Sequence, residues 1–196
     1  MLSRLRPIAP TPPEPEPRIL NLDVENGPKW GWGPGGYTYS AVFCIGRKWV
    51  GESEKTTTTV LVDWRQDDET VRQILAPVYA DIAAADAFLG HNFSHDTGLL
   101  VGTAKDFGMP LPDVDKPIID TMRSVPKSEG AMRSLEALCE QFDLGEKPHL
   151  PPYAWVEAWI RWKPEALNRV RHRCFMDVVL TERLYRKEQE LGWLPA

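Results

Sequence analysis

Three extended runs precede any helix in this chain, and that order constrains its fold more than any other feature. Residues 18–24 (RILNLDV), 39–50 and 56–64 are short, rich in β-branched or aromatic residues and bounded by breaks, as strands are. The polar residues 51–55 separate the second run from the third, so these two read as arms of a meander. A helix follows. Asp67 or Asp68 can cap it, and Val71, Ile74, Leu75, Val78 and Ile82 recur at intervals of three and four on one face, with a kink expected at Pro77. Residues 87–90 and 117–120 have strand character, whereas 93–107, 131–142 and 165–190 read as helices. The last of these carries the stripe Leu167, Val170, Cys174, Val178, Thr181 and Tyr185. Strands first, then a helix, a strand and mostly helices describe an α/β or α+β layered domain.

The 196 residues suit one domain with a sizeable core plus a tail. Residues 1–17 hold six prolines and no periodicity, so they read as a Pro-rich N-terminal arm, a spacer or a docking peptide. Residues 18–196 are then a single domain. No window approaches the roughly 18–20 apolar residues that span a bilayer, and the N-terminus has no apolar signal core. Cys44, Cys139 and Cys174 are odd in number and far apart, and read as buried thiols of a cytoplasmic protein. Lysine and arginine total 23 against 28 acids, a net charge of −5, which excludes a basic coat that holds duplex nucleic acid.

The informative residues are carboxylates inside apolar runs. Asp23 stands between Leu22 and Val24, and Glu25 lies two positions on, so a strand points both to one face. Burying two like charges is expensive, and a divalent cation relieves it; a solvated loop end is the plainer account of an isolated D-x-E. Asn92 and Asp96 are one helical turn apart and share a face, unless Asn92 merely caps the helix. Asp177 lies in the apolar helical segment CFMDVVL, where a lone acid is unfavourable. His172 precedes it by five and could take a proton from an attacking water, although it also fits a solvated basic face. Four acids in three segments make a pair of hard-cation sites, suited to Mg2+ or Mn2+. Two such ions about 4 Å apart stabilise the attacking and leaving oxygens of phosphodiester hydrolysis.

Asp23-Val24-Glu25, the run from Asn92 to Asp96, and His172 through Asp177 together resemble the three motifs of the DnaQ-like (DEDD) 3′–5′ exonucleases, over residues 18–190. Ile119-Asp120-Thr121 and residues 134–138 resemble weaker features of the same family. Trp30-Gly31, Cys44-Ile45 and residues 48–52 and 177–185 resemble a bacteriophage-type branch. The resemblance implies an α/β, ribonuclease H-like fold: a five-stranded mixed sheet with an antiparallel meander, flanked by helices. It also implies that Asp23, Glu25, Asp96 and Asp177 hold two divalent cations, with His172 the general base of the histidine subclass. One departure stands out. Phage-type relatives often carry a tyrosine four residues before the last aspartate, and here that residue is Arg173.

The expected partner is therefore nucleic acid with a 3′ end, single-stranded DNA favoured, with no membrane. Trp30, Trp32 and Tyr37, in a glycine-rich loop, can stack on terminal bases, or else close the end of the core. Asn92 and Arg173 join Trp30 and Trp32 as substrate-binding candidates. Arg161, Lys163, Arg169, Arg171 and Arg173 form a phosphate-tracking surface or a solvated helix face. Expected products are nucleoside monophosphates, released in the cytoplasm, or in the host cytoplasm if the chain is phage-encoded. The alternatives are an exoribonuclease, a metal-dependent endonuclease or resolvase, and a catalytically reduced binding or interaction protein on the same fold. Four site carboxylates under two divalent ions would bring the formal charge from −5 to about −1.

Overall fold

Strand β1 (Ile19–Asn26) organises the molecule because its two faces are chemically opposite. Leu20, Leu22 and Val24 face one way into the main core, where they meet Val71, Leu75, Val78 and Ile82 of one helix and Leu99 and Leu100 of another. Asn21, Asp23 and Glu25 alternate with them on the other face. There Asn21, fully buried, donates its amide to the carbonyl of Val178 at 2.7 Å. The apolar face buries core surface, and the polar face receives the last helix.

The computed structural model describes residues 16–27, 42–126 and 133–194. The remaining strands are β2 (Val42–Trp49), β3 (Thr58–Leu61), β4 (Ala87–Gly90) and β5 (Ile118–Asp120). They form one sheet in the order β3-β2-β1-β4-β5. β1 pairs with β2, and β2 with β3, antiparallel; β1 with β4 and β4 with β5 are parallel. The meander and the mixed five-stranded sheet expected from the sequence are both present, and the architecture is α/β and ribonuclease H-like.

Helix α1 (Asp68–Ala84) starts where Asp67 accepts a hydrogen bond from the Thr70 amide, and carries Pro77 inside it. α2 (Ser94–Asp106) follows β4, the short α3 (Thr121–Ser124) follows β5, and α4 (Leu135–Gln141) is capped by Ser134. α6 (Pro164–Glu190) is the longest element and lies against the sheet. α5 (Pro152–Trp159) is a helix that the apolar spacing did not announce. Pro152 starts it at a first-turn position, where a missing N–H costs nothing. Trp155 and Trp159 then pack against the cluster that holds Phe43, Cys44 and Cys174, with Trp159 edge-on to Phe43. The arm, most of the Trp-rich loop and the start of the 131–142 segment lie outside the described residues.

One glycine sets how close α6 can come. Gly46 on β2 is paired with Asp23 on β1, and a Cβ there would stand 2.8 Å from Val178 Cγ2 and 2.9 Å from the Cys174 carbonyl. Its missing side chain lets the middle of α6 seat directly over β1. That seat is what brings Asp177 to Asp23.

Candidate metal centre

The carboxylates of Asp23, Glu25 and Asp177 converge. One oxygen from each lies within 4.8 Å of the others. Asp23 and Glu25 arrive by the two-residue period of β1, and Asp177 by the seating of α6 over Gly46. Asp177 is only 2% exposed, and its Oδ1 has no hydrogen-bond partner; Asp23 Oδ2 is equally unpartnered. Buried carboxylate oxygens without donors are costly, and these two belong to the same cluster. Three carboxylates at this spacing, two of them with an unpartnered buried oxygen, are a set that could hold a metal ion.

Electrostatics point the same way. Burial, then the charges of Asp177, Glu25 and Asp96, push Asp23 well above the usual carboxylate range. Burial and the Asp177 charge also raise Glu25, against Arg173 and Lys147. Burial raises Asp177 despite the adjacent Lys147. A site that disfavours its own negative charge is one that a cation stabilises.

Asp96 adjoins this triad and is arranged differently. It lies in the first turn of α2, 5% exposed, and its Oδ1 accepts the Val24 amide at 2.8 Å. Burial pushes it up to about 7 even though the Val24 amide pulls it down. One of its oxygens thus secures α2 to β1.

Asn92 does not share a helical face with Asp96, as the four-residue spacing had implied. It precedes α2 in a left-handed conformation, φ 63°, at the turn out of β4, and is exposed. Asparagine tolerates that region better than most residues. The turn is held by Asp120, which accepts the Asn92 amide on Oδ1 at 2.9 Å and the Phe93 amide on Oδ2 at 3.2 Å. The Asp120 carboxylate at the end of β5 therefore fixes where α2, and Asp96 with it, begins.

The structure also separates His172 from Arg173. His172 is exposed on α6, and five residues of helix turn it about 140° from Asp177. Arg173, four residues before Asp177, is only about 40° away by the same count. Its Nε donates to Glu25 Oε1 at 3.0 Å and its Nη1 to the Pro148 carbonyl at 3.0 Å. Trp30 and Trp32 lie outside the described residues. Of the basic run, Arg161 and Lys163 both pair with Glu157, and Arg171 reaches Thr59 Oγ1, so part of that surface is already engaged.

Sequence reasoning missed Lys147. Its Nζ lies 2.7 Å from Asp177 Oδ2, with the lysine side chain 17% exposed. It comes from the connection between α4 and α5, whose stretch GEKPHLP has no periodicity and gives no local sign of a site. The stop of α4, the Leu144 carbonyl held by Arg183 and the neighbouring Pro148 carbonyl held by Arg173 place it there. A cavity of about 380 Å3 beside Lys147 is lined by Glu136, Cys139, Glu140, Asp143 and Glu146.

No protein-family model and no curated protein matches the chain. Among solved structures, it is similar to the family B DNA polymerase from the hyperthermophilic archaeon Pyrobaculum calidifontis, with a TM-score of 0.68 over 91% of this chain at 18% identity. The chain spans 25% of the length of that polymerase. At this identity the likeness speaks for the fold alone.

Proposed function

We propose that this chain is a metal-dependent 3′–5′ exonuclease that releases nucleoside monophosphates from nucleic acid, single-stranded DNA in preference. The observation that carries this reading is the convergence of Asp23, Glu25 and Asp177 with two unpartnered buried oxygens. The order of the three motifs and the nuclease-like fold support it. Asp23, Glu25, Asp96 and Asp177 would hold two divalent cations, which supply Lewis acidity and a nucleophilic water at neutral pH. The remaining work falls to side chains. For the proton of the attacking water the motif order offers His172, which is exposed on α6 about 140° around the helix from Asp177 and would have to reach that water from outside the acidic cluster. Arg173 binds phosphate, Asn92 contacts the terminal nucleotide, and Trp30 and Trp32 stack on bases.

The test is a degradation assay on labelled single-stranded DNA, duplex DNA and RNA with Mg2+ or Mn2+. Mononucleotides released from the 3′ end, and lost in Asp23→Ala, support the reading; internal fragments make the chain an endonuclease. Faster release from RNA makes it an exoribonuclease. His172→Ala should lower turnover about a hundredfold or more while nucleotide binding persists; unchanged turnover removes His172 from the mechanism.

A second reading has one specific observation in its favour. Lys147 and Arg173 already neutralise two of the carboxylates, as expected of a catalytically reduced nucleic-acid-binding protein. Binding of single-stranded DNA without metal-dependent release would select it.

A further inference from the structure

Arg173, four residues before Asp177, does something no neutral side chain could. It places a permanent positive charge on Glu25, one of the three converging carboxylates, 3.0 Å from Oε1. The ion pair is only half-sealed: the arginine side chain is 24% exposed and that of Glu25 14%. The guanidinium is also braced by the Pro148 carbonyl, so it can let go of the carboxylate while staying oriented. Asp177 has its own cation in Lys147. Asp23 has an oxygen with no partner at all. The cluster of three carboxylates therefore carries two built-in positive charges and remains short by one.

We propose that Arg173 is an exchangeable counter-ion that links metal binding to phosphate binding. Without metal it neutralises Glu25. With a divalent cation present, Glu25 turns its oxygen to the metal, and the freed guanidinium takes a non-bridging oxygen of the terminal phosphate. This rests on the exonuclease reading and deepens it. The chemistry suits arginine, whose planar fork binds carboxylate and phosphate in the same geometry and stays charged throughout. Two consequences follow with opposite signs. Because Arg173 repels the incoming cation and competes for Glu25, its removal tightens metal binding. Because it then serves phosphate, its removal weakens nucleotide binding.

Calorimetric titration of the full chain with Mn2+, then with thymidine 5′-monophosphate at saturating Mn2+, reads both effects. Arg173→Gln should bind Mn2+ about tenfold tighter and the nucleotide at least about tenfold more weakly. Arg173→Lys keeps the charge, so its Mn2+ affinity should stay near that of the parent chain, with intermediate nucleotide affinity. Thermal melting checks that both variants fold, and the lysine variant carries the test if the glutamine variant does not. Unchanged or weaker Mn2+ binding in Arg173→Gln, unchanged nucleotide binding there, or a lysine variant that binds Mn2+ much tighter than the parent would each overturn the exchange. If the parent chain binds no Mn2+, the exonuclease reading falls and the exchange with it. If the parent binds Mn2+ and only the Arg173 effects are missing, the exchange alone is wrong.

Discussion

Two ionic clusters sit on α6 five residues apart, and the difference between them is closure. Around Glu182, Lys48 is buried against the carboxylate, Arg186 donates at 2.6 Å and the Gly51 amide at 3.1 Å. Lys48 in turn donates to the carbonyls of Trp49 and Glu52. Burial alone would raise Glu182, but Lys48, Arg186 and Gly51 together bring it below the usual carboxylate range. Around Asp177 the balance runs the other way: three carboxylates meet two cations, two oxygens have no donor, and every acid is pushed up. Both clusters tie the sheet to α6. The closed one needs nothing further, whereas the open one is stable only as far as something positive completes it.

The sharpest way to break this contrast is to remove one acid from each cluster. Asp177→Asn should cut metal-dependent nucleotide release about a thousandfold or more, yet melt no lower than the parent without metal, because a repelling charge has gone. Mononucleotide release and a thermal melt check the two halves. Glu182→Ala should do the reverse, lowering stability by about 3–5 kcal/mol by stranding the buried Lys48, with site chemistry intact in the folded fraction. Urea denaturation measures it. If both variants lose stability equally, the contrast is wrong.

A smaller effect probes the seat that the open cluster depends on. Gly46→Ala puts a methyl against Val178 and the Cys174 backbone, so α6 must shift. A loss of about 1–3 kcal/mol is expected, with Mn2+ binding weakened as Asp177 moves off Asp23. Chemical denaturation and a Mn2+ titration should move together.

The smallest effect is in pH. Glu188, fully buried on α6, is pushed up to about 7 by burial, which outweighs the hydrogen bond from Ser124, and Asp120 adds repulsion. Asp96 is likewise raised to about 7. A carboxyl raised in the folded state contributes stability that is complete below its unfolded value and is lost as pH rises through the folded one. The metal-free protein should therefore melt progressively lower between about pH 5 and 8. Glu188→Gln should flatten that slope in melts across the range, and an unaltered slope would assign it to other groups.

Much of this was readable along the chain because it rests on local periodicity. The two-residue alternation of β1 put Asp23 and Glu25 on one face, an Asp cap and a three-four spacing marked α1, and an acid in an apolar stretch of helix marked Asp177. Asn92 was misplaced because a tight left-handed turn leaves the same residue spacing as a helical one. α5 was invisible because its aromatic residues acquire a buried face only against Phe43 and α6. Lys147 had no sequence signature, and Arg173 was marked in the sequence without its pairing to Glu25, since a cation's partner is decided by what lies across the fold.

Sequence by itself determined the strands, the main helices and which acids are expensive to bury, because each depends on neighbours within a turn or two of chain. Tertiary structure alone decided that three of those acids meet within 4.8 Å, and that two chain cations answer them without closing the cluster. Long-range packing, through Gly46 beneath α6, brings together charges that lie far apart in the chain, and Coulomb interactions depend on that distance in space.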